Sequence, residues 1–192
     1  MSTMAKTFDS IDPALRGFIQ AQKLFFVATS PLSEDGHINL SPKGLDGTFA
    51  VLDEQTVAYL DFTGSGVETI AHLRENGRAC LMFCAFEGDP LTLRLYGRAR
   101  AIDEHQDAWA ELIGLFPDSA GARQIIDMQV ESLLTSCGFG VPLFDYTGER
   151  EQLRQWIEKK GPEGIRRYQR EKNRLSIDGK PTGTGSGDDE AQ

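Results

Sequence analysis

The sequence has no long apolar run, few cysteines and few histidines. No stretch of its 192 residues approaches the ~18–20 consecutive apolar residues that span a bilayer. The opening segment, MSTMAKTFDSIDPAL, lacks the apolar centre of a secretory leader. The expectation is a cytoplasmic protein with no membrane contact. The cysteines are three, Cys80, Cys84 and Cys137. An odd, scattered set does not build a disulfide framework or complete a zinc site. His37, His72 and His105 are equally dispersed, so no metal centre is expected. No GxGxxG follows a strand, and no GxxxxGK[ST] occurs. Positive charge is also short. Lys and Arg number 20 against 29 Asp and Glu, a net charge of −9. Such a surface repels nucleic-acid phosphate on average, and no nucleic-acid partner is expected.

What is present describes an ordinary folded domain. Hydrophobic residues make up 40% and charged residues 26%, in a chain within the roughly 100–200 residues of one domain. Asp12-Pro13 reads as a helix start, with a capping carboxylate and a proline in the first turn. Residues 24–30, 37–41, 48–53 and 56–62 read as strands, the last two as a hairpin. In 37–41, Ile38 and Leu40 face one way and Asn39 and Ser41 the other; Pro42 marks an edge. Residues 64–76 switch to helical spacing. Residues 79–86, ACLMFCAF, form a continuous apolar run expected of a buried strand. Residues 91–102 alternate, with Thr92, Arg94, Tyr96, Arg98 and Arg100 on one polar, basic face. An amphipathic helix over 103–116, a strand over 125–134 and a helix over 148–173 broken near Gly161-Pro162 complete the order.

Short links and clean alternation favour an antiparallel sheet over a doubly wound parallel one. The expected class is mainly β with flanking helices (α+β), the sheet closed into a barrel. Residues 1–148 form the barrel domain with its N-terminal helix. Residues 149–178 form a helical extension, and the Gly-rich stretch 179–192 is a disordered tail. Residues 149–174 carry nine Lys and Arg against five Asp and Glu, a modest basic helix surface.

Two segments carry the chemistry. Asn39-Leu-Ser41-Pro-Lys43-Gly44 ends a strand and offers a hydroxyl, an ammonium and close backbone approach. Lys43 is the only Lys or Arg between Lys23 and Arg74. Asp61-Phe62-Thr63-Gly64-Ser65-Gly66 ends a strand and opens a helix, where unpaired N–H groups and the helix dipole favour an anion. Each alone also suits a plain turn or cap. Together they suit a phosphate cradle. No pattern in the sequence names a general acid or base.

These residues also carry a resemblance. FFVATSPLSEDGHINLSPKG, VAYLDFTGSGVETIAHLRENGRACLMF and LRLYGRARAI, in that order, resemble the pyridoxamine 5′-phosphate oxidase-like flavoproteins, the FMN-binding split barrels. SCGFGVPLFDYTGER, the Trp156 helix and YQREKNRLSIDG resemble the C-terminal extension of one broad branch of that family. The resemblance implies a homodimer of split barrels with FMN in a groove shared by both subunits. It further implies oxidoreductase chemistry on a small molecule, with hydride from a nicotinamide donor or a reduced substrate. It assigns Lys43 to the flavin phosphate and Phe62 and Thr63 to the phosphate-side strand end. Gly66 stands before the phosphate-side helix, and the strand from Thr92 to Gly97 flanks the flavin ring. Asn39, Ser41, Ser65, Thr69 and Arg94 complete the cofactor-binding set, although Arg94, Arg98 and Arg100, on one strand face, equally suit pairing with acids across the dimer interface. The chain departs from the family in having Val67-Glu68-Thr69 where the classical oxidase has Ser-Arg-Lys. The Arg-Leu-His-Asp-Arg segment that reads pyridoxal phosphate is also absent, so oxidation of pyridoxamine phosphate itself is not expected. Split-barrel relatives that bind haem or a deazaflavin, and a dimeric binding module without catalysis, remain the alternatives.

Overall fold

The computed structural model describes residues 5–184. The chain runs β1 (Lys6–Phe8), α1 (Pro13–Ala21), β2 (Phe25–Thr29), β3 (Asn39–Lys43), β4 (Phe49–Val51) and β5 (Thr56–Phe62). It continues with α2 (Glu68–Asn76), β6 (Arg78–Cys84), β7 (Thr92–Ile102), α3 (Asp107–Leu112), β8 (Ala122–Ser136) and α4 (Gln152–Lys172). All strand pairs are antiparallel, in the order β3-β2-β6-β7-β8-β5-β4, and β1 adds to β8. The sheet curls until its two ends meet through side chains. Phe49 on β4 lies 4.9 Å from Phe25 on β2 and 5.2 Å from Phe83 on β6, ring centre to ring centre. This is the expected antiparallel split barrel.

The interior is filled by Phe25, Val27, Tyr59, Leu81, Phe83, Leu93, Leu95, Met128 and Leu133, with Leu15 and Ile19 of α1 plugging one end. Asp12 caps α1 as its sequence predicts: Oδ1 accepts from the Leu15 amide at 2.7 Å, and Pro13 occupies the first turn. A second, smaller cluster of Leu60, Ile102, Phe116 and Ile125 packs outside the barrel against α3.

The departures from expectation are local. The strand β1 carries no alternating signal in the sequence. The helix expected over 103–116 shrinks to α3 and a short 3-10 turn at Ile113–Leu115. The helix expected from residue 64 begins at Glu68. The break in α4 is where it was read: Gly161 has φ 63°, which a glycine reaches without strain, and Pro162 follows it. In the tail expected from Gly179, the segment to Thr184 packs, with Thr182 fully buried. The rest of that tail lies outside the described residues. Among the described residues, no helix is long and apolar enough to cross a membrane.

Candidate functional site

Lys43 ends β3 at one edge of the sheet, and Asp61 lies near the end of β5, next to the other edge. Curling of the sheet brings them together, with Lys43 Nζ 2.7 Å from Asp61 Oδ1. The second carboxylate oxygen accepts from Arg123 through Nε at 3.0 Å and Nη2 at 2.7 Å. Arg123 also donates to the carbonyl of Gly66 at 2.9 Å and to Asn173 Oδ1 at 3.0 Å. Burial raises the Asp61 pKa, but the adjacent Arg123 and Lys43 charges and their hydrogen bonds outweigh it, leaving the pKa below its ordinary value. Two cations around one carboxylate leave one positive charge in excess. The side chains of Asp61 and Arg123 are 1% and 3% exposed, whereas that of Lys43 is 24% exposed. Solvent, or a ligand, therefore reaches the cluster through Lys43. The Tyr59 ring centre lies 6.0 Å from Lys43 Nζ, and its buried hydroxyl has no hydrogen-bond partner among the described residues. Burial, reinforced by Asp61, pushes that phenol well above its ordinary pKa, so it stays protonated.

Beside this cluster, β3 is tied to α2. Asn39 Nδ2 donates to Thr69 Oγ1 at 2.9 Å and to Thr29 Oγ1 at 3.2 Å, and Ser41 Oγ donates to Asn39 Oδ1 at 2.8 Å. Thr29 Oγ1 in turn lies 2.9 Å from His72 Nδ1. Burial lowers the His72 pKa, which keeps the imidazole neutral, and its Nε2 is buried without a partner among the described residues. Asn39, Ser41 and Thr69 are thus brought together, on the same inward side of β3 as Lys43.

The start of α2 is already closed by the chain itself. Glu68 Oε2 accepts from the Val67 amide at 3.0 Å, and its Oε1 accepts from the Ile177 amide at 3.3 Å. The segment after α4 crosses here. Asn173 Nδ2 donates to the Gly64 carbonyl at 2.8 Å, Gln169 Nε2 to Thr63 Oγ1 at 2.7 Å, and Asp178 binds the amide and ring of His37. Lys180 pairs with Glu75. The carboxylate that replaces the classical basic residues is therefore satisfied by two amides, and it sits where the helix dipole would favour an anion. Ser65 and Gly66 remain exposed and Phe62 is half-buried.

Thr92 and Arg94 lie elsewhere. By strand register, Asn39, Ser41 and Lys43 share the inner side with Thr29, Val27 and Phe25, whereas Thr92 and Arg94 share the outer side with Cys84 and Met82. Within one chain, the ten residues of the predicted set divide between two faces. Arg123, Gln169, Asn173 and His72 were not foreseen. Asp61 had a signal, a carboxylate inside the apolar run TVAYLDF, but Arg123 opens its strand with nothing to single it out. For a flavin phosphate, the residues fit on the Lys43 side, with its excess charge and exposed ammonium. The amide of Val67 is not free for one.

The sequence pattern described as pyridoxamine 5′-phosphate oxidase matches residues 11–137. A pyridoxamine 5′-phosphate oxidase family protein of Aspergillus flavus, ustO, is 44% identical over 147 residues, which cover 75% of this chain and 59% of that protein. The chain thus spans little more than half the length of that relative. The crystal structure of Group A Streptococcus HupZ is similar with a TM-score of 0.52 at 24% identity, covering 64% of this chain and 91% of that one. A variant of the same protein gives 0.53 at 23% identity, covering 65% and 98%. At that identity the likeness establishes the fold alone, and it is the fold expected. With a family pattern running from the first core helix to the end of the last barrel strand, the chain belongs to the pyridoxamine 5′-phosphate oxidase family.

Proposed function

We propose that this chain is an FMN-binding flavoprotein, working as a homodimer and moving electrons between a nicotinamide donor or a reduced small molecule and an acceptor. Family membership supports the cofactor class. The observation that carries the phosphate assignment is the one excess positive charge at Lys43, reached by solvent and fixed by the buried Asp61–Arg123 pair. Arg123 and Asn173 brace the Gly64–Gly66 loop from behind by binding its carbonyls. Thr63 is buried with its hydroxyl engaged by Gln169, so Lys43, Ser41 and the exposed Ser65 are left to meet a phosphate. When bound, FMN supplies the hydride and electron chemistry at its ring system. The protein's part is to bind and orient it.

A homodimer is supported by exposed apolar side chains at the start of β3, where Ile38 just before the strand and Leu40 within it are 77% and 67% exposed. An apolar edge of that kind marks an interaction surface.

One observation weakens the phosphate assignment and keeps a haem-binding split barrel as a second reading: Glu68 already closes the α2 N-terminus that a phosphate would use. A reconstitution titration separates the two. Adding FMN to apoprotein should quench flavin fluorescence saturably, and Lys43→Ala should weaken binding about tenfold or more, the loss of a charge-assisted hydrogen bond of ~1.5–3 kcal/mol. Equal affinity in Lys43→Ala would refute the assignment, and saturable haem binding without FMN binding would favour the second reading.

A further inference from the structure

Three arginines share the outer face of β7, and among the described residues two of them have acidic partners. Arg100 pairs with Asp127 at 2.9 Å, and Arg98 Nε lies 3.7 Å from Glu131 while its Nη1 donates to the Asn76 carbonyl at 2.7 Å. Those two acids of β8 are thereby engaged. Arg94 is half-buried, and the hydrogen bond it makes among the described residues is a long one, 3.5 Å, from Nη1 to Ser136 Oγ. Its cross-strand neighbours are Met82 on β6 and Leu134 on β8, neither of which carries charge. The nearby thiols do not neutralise it either. Burial raises both Cys80 and Cys84 against the opposing pull of Arg94, so they stay protonated at neutral pH. A guanidinium partly withdrawn from water with no counter-charge is unfavourable, and an anion that meets it recovers much of that cost.

We propose that Arg94 is an anion-recognition point on the outer sheet face, and that its ligand is a carboxylic acid with an apolar body. The guanidinium fork matches a carboxylate in two parallel hydrogen bonds. Ser136 and Thr92 lie on the same side of β8 and β7, opposite each other in register, and add hydroxyls next to it. Met82 and Leu134 flank it with apolar surface suited to an aliphatic or aromatic body. A phosphate dianion is less well suited, because only one cation stands at this position. The inference rests on this face alone and does not require the flavin.

The test uses the full-length apoprotein and benzoate, with benzamide as the neutral control of the same shape. The Arg94 Nε–Hε resonance is identified as the one missing in both Arg94→Gln and Arg94→Lys. Benzoate should shift it saturably in the wild type, benzamide should not, and Ser136→Ala should weaken the benzoate response several-fold. Sedimentation of Arg94→Gln, run alongside, should match the wild type. A resonance unmoved by benzoate, or moved equally by benzamide, overturns the proposal. So does conversion of Arg94→Gln to a smaller species, which would identify the counter-ion as an acid of a second copy. Absence of flavin binding would leave this readout untouched, so failure of the cofactor reading is distinguishable from failure of this one.

Discussion

Asp61 is the residue on which the candidate site turns, because it makes two buried or half-buried cations compatible with an apolar barrel end. Removing its charge leaves Arg123 inside the protein with no anion. Asp61→Asn should therefore destabilise the fold by about 3–5 kcal/mol, the usual cost of breaking a buried ion pair from one side. Urea unfolding checks this, and a change under about 1 kcal/mol would contradict it. The sign with pH follows from the direction of the shift. The folded pKa of Asp61 lies below its unfolded value of about 4, so the stability it contributes is complete above that pH. It is lost as pH falls through the depressed folded value. Wild-type stability should fall steeply below about pH 4, and the part of that slope due to this residue should vanish in Asp61→Asn. The sequence made Lys43 legible because it is the only Lys or Arg between Lys23 and Arg74. It did not reveal the partners, since the Asp61 and Arg123 contact joins positions 62 apart in the chain.

At the scale of elements, β7 shows how far alternation can be trusted. The pattern of Leu93, Leu95 and the arginines gives the two faces correctly, and the paired arginines Arg98 and Arg100 sit on the solvent side as read. What alternation does not disclose is the register shift between Tyr96 and Gly97 against β8. There a Cβ on Gly97 would lie 2.0 Å from the Gln129 carbonyl oxygen. Gly97→Ala should cost roughly 2–4 kcal/mol by forcing the strands apart, within the range of severe packing faults. Gly161→Ala has open space around its Cβ, but φ 63° with ψ 172° is a conformation nearly confined to glycine, so it should cost about 1–3 kcal/mol from the backbone alone. Thermal unfolding checks both variants, and a Gly97→Ala protein that melts like the wild type would contradict the close approach of the two strands. β3 is the element whose faces invert the ordinary rule. Asn39 is buried and Leu40 is exposed, because the inward side meets the polar start of α2. Periodicity predicts the two faces of such a strand but not which of them faces inward.

At the scale of the whole molecule, the fold was legible because the strand order, the hairpin and the buried run at β6 are written in short-range patterns. The strap after α4 was not. Residues 149–178 read as a helical extension and 179 onward as unstructured, yet beyond Lys172 the helix has ended, Asn173 and Asp178 bind the loop before α2 and His37, and Lys180, in the stretch read as unstructured, pairs with Glu75. The division of the candidate site between two faces was equally hidden, since face assignment depends on how the sheet curls. The exposed Ile38 and Leu40, joined by Leu175 and Ile177 of the strap, leave an apolar surface that a second copy would cover. Leu40→Glu should convert a dimer to a monomer in sedimentation without unfolding it, because the side chain is outside the core. A wild-type chain that sediments as a monomer would contradict this account.

The cofactor claim is tested most directly by the absorption spectrum of full-length protein reconstituted with FMN and freed of excess by gel filtration. The account predicts flavin bands at one FMN per subunit in the wild type, with most of that flavin lost in Lys43→Ala. A colourless wild-type protein, or one that retains the same flavin when Lys43 is replaced, would contradict it.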